Sequence, residues 1–487
     1  MHNYMKHILL AFAASLVALT AAARELPLKV YCDDESRLDT VYRSTLYVIG
    51  VTEPGATATI NDDTAHVYRT GSFGAELTLR PGANKITLAA RKGRDKASTS
   101  FTTVYVADRP APARAAAPAT EPLAEPLAVK TLPGAYLQYG NGGDRLGGSK
   151  TGYLDTDIVL KALGQTDRLY QVALGDSRTA YVPKEYVETA TLMPSTVNTG
   201  SATISNMGTF DRITLALPAR VPYWSRAEID PQTILVTLYG VTNNSNWITQ
   251  YNNLGIIDFV DFRQTASDQL TLVIRLRDKY QWGYHVEYKD SRLFVDVRHR
   301  PESLALKDLT IGLDAGHGGK YPGAYSPSGL KEKDVNLDIV LNVAEMLRAK
   351  DAKVVLTRDG DTGPSMSERK DIWREANVDI AISVHNNASG NPLKPMGTSC
   401  YYKHISNRAL AAALHESILT LGVADFGLTG NFNFSLNSPT EYPNALVEAL
   451  FMSSLPEEEL LADPDYRRAL AAKIVAGLES YLHAASR

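Results

Sequence analysis

The 487-residue chain is 44% hydrophobic and 21% charged, too long for one core and too apolar for a disordered chain, so several folded domains are expected. Fifty Lys and Arg against 54 Asp and Glu leave a formal charge of −4, which argues against nucleic-acid binding, and against adhesion to anionic lipid, by bulk charge. The 2 cysteines, Cys32 and Cys400, fall in regions assigned below to different domains, so a disulfide framework or Cys-based metal cluster is excluded and any metal must use His and carboxylates.

Residues 1–23 read as a signal peptide: Lys6 precedes the apolar stretch Ile8 to Thr20, and Ala21-Ala22-Ala23 gives a small-x-small cleavage pattern. That stretch is too short to span a bilayer and is followed by the polar Arg24-Glu25. No later window offers about 18 uninterrupted apolar residues, so the expected mature protein is exported and soluble, with no stable membrane insertion. Lys29-Val30-Tyr31 before Cys32 lacks the small-residue context of a lipidation site, which favours the periplasm over the cell-wall surface or the medium.

Residues 24–107 show short alternating runs (Leu46, Val48; Leu77, Leu79; Ile86, Leu88) broken by Glu53-Pro54-Gly55 and Arg80-Pro81-Gly82, the rhythm of a small β-sandwich. The segment resembles a bacterial immunoglobulin-like module. Residues 108–130 read as an extended Pro/Ala-rich linker. Residues 131–192, with Tyr136, Tyr139, Tyr153, Tyr170 and Tyr181, resemble a small src-homology-type β-barrel. In residues 198–300 alternation recurs at Ile213/Leu215/Leu217, Ile234/Val236/Leu238, Leu270/Leu272/Ile274 and Leu293/Val295/Val297, which requires a third small all-β domain. Trp224, Trp247, Tyr251 and Trp282 are its candidates for exposed sugar-stacking aromatics, with core packing the commoner use.

Residues 305–487 change rhythm. Asp308 to Gly316 is a buried-type strand ending in a Gly turn, and Val335, Ile339, Val343 and Leu347 fall at helical spacing within a helix over 333–350. Strands over 353–356, 378–385, 398–402 and 445–450 alternate with helices over 365–376, 407–421 and 464–483. This predicts an α/β domain whose mostly parallel sheet is covered by helices on both faces, with any active site at the carboxyl ends of the strands.

Four polar residues fall at such ends or at a helix start: His317 in DAGHGG, Glu332 in GLKEKDVNL, His385 in AISVHNNAS and Glu448 in NALVEALF. Two neutral imidazoles and one carboxylate make a three-ligand zinc set with an open position for water, and a fourth group can serve as base. Taken singly, each has a bland reading: His317 as incidental after a Gly turn, His385 as a satisfied buried histidine, Glu332 as a helix-start carboxylate. Glu448 lies inside an apolar run and must be paired, metal-bound or raised in pKa, with a salt bridge to Arg358 or Arg369 as the structural alternative.

From Asp308 to His483 the chain resembles the zinc-dependent N-acetylmuramoyl-L-alanine amidases whose catalytic domain begins with DAGHGG. The resemblance runs in order through DAGHGGKYPGA, GLKEKDVNLDIV, VVLTRDGD, MSERKDIWREAN, DIAISVHNNAS and ALVEALFMSS. It implies that the residues matching the family's ligands, His317, Glu332 and His385, hold Zn2+, that Glu448 is the catalytic carboxylate, and that the substrate is peptidoglycan. It also makes an activator protein a candidate partner, and residues 198–300 are similar to the N-terminal localisation domain of such amidases. Two positions depart from the family's last block: Leu450 stands for a glycine and Ser454 for an asparagine. Asn387 is a candidate contact for the stem peptide, with capping of the following turn as the alternative. The polar loop from Phe426 to Tyr442 reads as a cleft-edge loop. A zinc peptidase or carboxypeptidase on stem peptides would use the same chemistry, and a wall-binding scaffold without turnover is the non-enzymatic alternative.

Overall fold

Period-2 runs in the first hundred residues close into two facing sheets in the computed structural model, which describes residues 24–31, 39–107, 118–143, 146, 148–175 and 178–487. The expected signal segment 1–23 and Cys32 lie outside the described residues. The chain forms two compact units, residues 1–107 and 108–487. In the first, a three-stranded sheet (Leu28–Tyr31, Thr45–Thr52, Ser72–Thr78) and a five-stranded one enclose Ile60, Phe73, Ile86 and Leu88, each at most 1% exposed.

The second unit begins with a strand where a linker is expected. Glu121–Thr131 pairs antiparallel with Val159–Gln165 and Val187–Thr189 inside a seven-stranded sheet, so the Pro/Ala-rich reading of 108–130 is corrected from 121 onward. The prolines are tolerated for a local reason. Register slips from Leu127↔Ala162 to Pro122↔Gly164, so Pro122 and Pro126 sit at an irregularity, and the second neighbouring strand reaches only Val129–Thr131. A five-stranded and a four-stranded sheet follow within 202–298, and their inward residues, among them Ile213, Val236 and Leu272, share one core with Leu160, Val172 and Val182 of the seven-stranded sheet.

The α/β domain comprises β1 (Thr310–Ala315), α1 (Glu332–Arg348), β2 (Lys353–Leu356), α2 (Met366–Glu375), β3 (Ile380–Asn387), β4 (Thr398–Tyr401), α3 (Arg408–Leu419), β5 (Asp425–Thr429), β6 (Asn444–Phe451), α4 (Leu455–Ala462) and α5 (Pro464–Ala485). Strand order is β2-β1-β3-β6-β4-β5; β4 runs antiparallel to β6 and the other pairings are parallel. Ile311, Leu313, Ile382, Val384, Val447 and Ala449 pack with Val335, Ile339, Val343 and Leu347 of α1 and with buried residues of α3 and α5. Trp373 of α2 packs with Ala381 instead, and only glycine fits at 312, where a Cβ would meet the indole at 2.8 Å. Period-2 geometry directs Asp314, Ser383, His385 and Glu448 away from the α1 side of their strands. Ser365 caps α2 in a reciprocal box with Glu368.

Core packing, the commoner use of such aromatics, holds for Trp282, and the cleft-edge reading of the polar loop is overturned. Trp282 is 1% exposed and packs against Tyr481 of α5, so it is core rather than a sugar platform, whereas Trp247 is 72% exposed. Of the stretch from Phe426 to Tyr442, residues 426–429 belong to β5, and 430–442 joins the end of β5 to the start of β6; because β4 and β5 oppose β6, that part lies at the end of the sheet away from His385 and Glu448. It therefore does not edge their cleft; Asn433 Nδ2 donates instead to the Gly148 carbonyl at 2.9 Å.

Candidate metal centre

The turn after β1 is shaped by what it must carry. Gly316 leaves room for the His385 ring, which a Cβ would meet at 2.3 Å, and His317 adopts φ +63°, a strained region for a residue with a side chain. Two buried arginines hold the strained turn. Arg369 donates to the carbonyls of Ala315 (2.9 Å) and His317 (2.7 Å), and Arg358 to those of Ala315 (2.8 Å) and Gly316 (3.0 Å). Arg369 is neutralised by Asp314, whose Oδ1 lies 2.5 Å from Nη1 and which also accepts from Thr357 and Ser383. Both arginines named as alternatives for Glu448 are thus engaged at the His317 turn.

His317, Glu332 and His385 converge, with one ligand atom from each lying within 4.8 Å of the others. His317 Nε2 and His385 Nδ1 are each 3.1 Å from Glu332 Oε1, and the ring centroids are 4.9 Å apart. Donors bound at about 2.0–2.2 Å to one tetrahedral ion stand roughly 3.3–3.5 Å from each other, so this N/O donor set fits a divalent metal with little rearrangement. Supporting groups orient it: Glu332 Oε2 accepts from the Ala324 amide (2.9 Å), Oε1 from the Asn386 amide (3.2 Å) and Asn336 Nδ2 (3.3 Å), and Asn386 Nδ2 donates to Asn336 Oδ1 (2.8 Å). Neither Asn336 nor Asn386 stands out in the sequence; Asn386 follows His385 and Asn336 lies one helical turn after Glu332, the only signal they leave.

Burial opposes charge at Glu332, but hydrogen bonds from His317 and His385 outweigh it and hold the carboxyl well below the usual range. Burial likewise disfavours the His385 imidazolium, yet the Glu332 hydrogen bond and the charges of Glu448 and Glu332 raise it to about 9. A site that so favours cations is suited to a doubly charged ion.

Glu448 is placed beside this trio. It is 9% exposed, lies in register with His385 across β3 and β6, and its backbone faces Ser399 of β4. Asn387 ends β3, and its Oδ1 accepts from the Ala388 amide at 2.8 Å, the turn-capping alternative. Leu450 and Ser454, the two departures, are both fully buried, and Ser454 Oγ donates to the Lys394 carbonyl at 2.9 Å. Next to them, Glu457 accepts from the amides of Gly397 (2.6 Å) and Phe451 (2.8 Å) and ties the loop after β3 to the end of β6. Exposed Phe426 meets Phe451 edge-on at 4.9 Å.

Residues 311–480 match the N-acetylmuramoyl-L-alanine amidase family. The N-acetylmuramoyl-L-alanine amidase LytC of Bacillus subtilis is 34% identical over 177 residues, 35% of this chain and 35% of LytC. The Staphylococcus aureus protein named "Probable cell wall amidase LytH" is 32% identical over 204 residues, 42% of this chain and 66% of its own length. The chain thus spans about a third of one relative and just under two thirds of the other. Among solved structures, the amidase AmiC2 of Nostoc punctiforme aligns at 32% identity over 36% of this chain and 97% of its own, with a TM-score of 0.34. Through residues 311–480, the chain is similar to the N-acetylmuramoyl-L-alanine amidases.

Proposed function

We propose that this chain is an exported peptidoglycan hydrolase that cleaves the amide between N-acetylmuramic acid and the L-alanine of the stem peptide. The observation that carries the reading is the convergence of His317, Glu332 and His385 within 4.8 Å, with Glu448 in register beside His385. Held by those three side chains, Zn2+ would supply Lewis-acid polarisation of the scissile carbonyl and a water acidified from about 15.7 toward 7. A Glu448 carboxylate oxygen takes the proton of the attacking water and returns it to the departing amine nitrogen, a transfer worth on the order of 10²- to 10⁴-fold. Arg369 and Arg358 keep the His317 turn in its strained form, and Asn336 and Asn386 fix the Glu332 carboxylate, so the ligand set is organised before substrate arrives. Asn387, engaged at the turn, orients the loop after β3 and through it the stem peptide. An activator protein enters this reading as a factor that raises turnover without joining the ligand set.

The test is mass spectrometry of muropeptides digested by the full chain, with and without chelator. Free stem peptides that vanish on chelation support the amidase. Shortened stems would assign a peptidase, and unchanged muropeptides a scaffold.

A further inference from the structure

A second polar cavity, of about 340 Å³, lies within the 108–487 unit away from the metal centre. Its walls come from the strand Lys150–Tyr153, from Tyr223 and Trp224 on the strand Tyr223–Ile229, and from α2 and the 430–442 loop; none of His317, Glu332, His385 and Glu448 lines it. The volume is that of a small-molecule or short-peptide site.

Its charge is unbalanced. Among the described residues, Lys150, Lys370, Arg374 and Lys403 face it, opposed by two carboxylates, Asp155 and Glu441. Glu441 is already bound by Arg374 Nε at 2.8 Å, and Asp155 accepts from the Tyr223 hydroxyl at 3.0 Å. Lys403 Nζ donates to the Lys150 carbonyl (2.7 Å) and to the Asn433 side chain. Lys150 Nζ stands 4.1 Å from the Tyr136 ring centroid and Lys370 Nζ 5.2 Å from that of Tyr153. Among the described residues, no carboxylate lies within 4.0 Å of these three ammonium groups. Withdrawing ammonium groups from water without counter-charge is costly. Accordingly, burial and the neighbouring Lys150 bring Lys403 down to about 8, and burial also lowers Lys150 and Lys370.

We propose that this cavity is a second binding site, which takes a short peptide bearing two or more carboxylates through Lys150, Lys370 and Lys403. Separate ammonium groups set among Tyr153, Tyr223 and Trp224 suit carboxylates spaced along a chain with apolar atoms between them. The identity of the peptide as a wall stem peptide, the fragment released by the proposed reaction, rests on the amidase reading; the site itself does not.

The experiment is calorimetric titration of the full chain with synthetic L-Ala-γ-D-Glu-L-Lys-D-Ala, with its bis-amide, and with inorganic phosphate. The tetrapeptide is expected to bind, and the bis-amide to bind about tenfold more weakly or worse, as removal of desolvated charge pairing requires. Lys150→Ala with Lys370→Ala should lose about the same factor, while Lys150→Arg with Lys370→Arg stays within about threefold. Equal affinity for peptide and bis-amide in the unsubstituted chain, no heat at millimolar peptide, or tighter binding of phosphate than of peptide overturns the proposal. The amide comparison needs no variant and survives a misfolded one. Muropeptide cleavage by the unsubstituted chain is scored in parallel: absent cleavage with intact carboxylate-dependent binding strikes the amidase reading alone, and the reverse strikes the cavity alone.

Discussion

Replacing Asp314 by Asn should unseat the metal centre from beneath. The Asp314 carboxylate is fully buried, accepts from Thr357 Oγ1 at 2.5 Å and Ser383 Oγ at 2.6 Å, and neutralises Arg369, itself 1% exposed. Asn keeps the shape but strands a guanidinium in the interior, and breaking a buried pair from one side costs about 3–5 kcal/mol. For a domain of this size each kcal/mol shifts the midpoint by roughly 2–4 °C, so the α/β transition should fall by about 6–20 °C. Because Arg369 also holds the His317 carbonyl, zinc affinity should drop with stability. Adding Arg369→Met to Asp314→Asn removes the stranded charge and should recover part of the loss. Burial pushes the Asp314 carboxyl up, but Arg369, Ser383 and Thr357 outweigh it and its pKa is lowered. Its stabilisation is therefore present above the unfolded value of about 3.9 and is lost as pH falls through the lower folded value. Differential scanning calorimetry of the unsubstituted chain, the single variant and the double variant, with zinc titration, reads all of this. A midpoint within about 2 °C of the unsubstituted chain for Asp314→Asn, or no recovery in the double variant, would refute the reasoning.

Glu448→Gln should lower turnover of muropeptides by about 10²- to 10⁴-fold while metal content, measured by atomic emission, stays at one equivalent. His317→Ala and His385→Ala should each lose bound zinc on dialysis, and activity with it. Gly323→Ala should weaken zinc by about 10- to 100-fold in a metal-buffered titration, because φ is +71° and the new Cβ would meet Glu332 Oε2 at 2.4 Å and the His317 ring at 2.7 Å. With His385 raised to about 9 in the metal-free chain, zinc must displace its proton; apparent affinity should rise by about tenfold per pH unit between pH 6.5 and 8.5, and a flat profile would speak against His385 as a ligand.

Much of the α/β domain is legible because its elements carry their own periods. Val335, Ile339, Val343 and Leu347 mark the inner stripe of α1, and the Ser365–Glu368 pair announces the start of α2. His317, Glu332 and His385 stand out because His and Glu at strand ends and a helix start are chemically conspicuous. Direction and neighbours are not written in a strand's own pattern. Nothing within Thr398–Tyr401 says that β4 opposes β6, so the loop 430–442 is assigned to the wrong end of the sheet. Likewise Pro122 and Pro126 read as linker because the slip in their partner strand lies about 40 residues away in the chain. Trp282 is buried by Tyr481, some two hundred residues on, a contact that no local window contains. Asn336 acts on Glu332 through its side-chain amide and Asn386 through its backbone amide, and such supporting roles have no spacing rule.

The proposed chemistry depends on His317, Glu332 and His385 meeting at one ion. Anomalous diffraction at the zinc edge from the metal-loaded chain tests it most directly: the account predicts a single strong peak at about 2.0–2.2 Å from a His317 nitrogen, a Glu332 oxygen and a His385 nitrogen, with Glu448 facing it but unbound. A peak held by other side chains, or no peak near these three in a fully active enzyme, would contradict it.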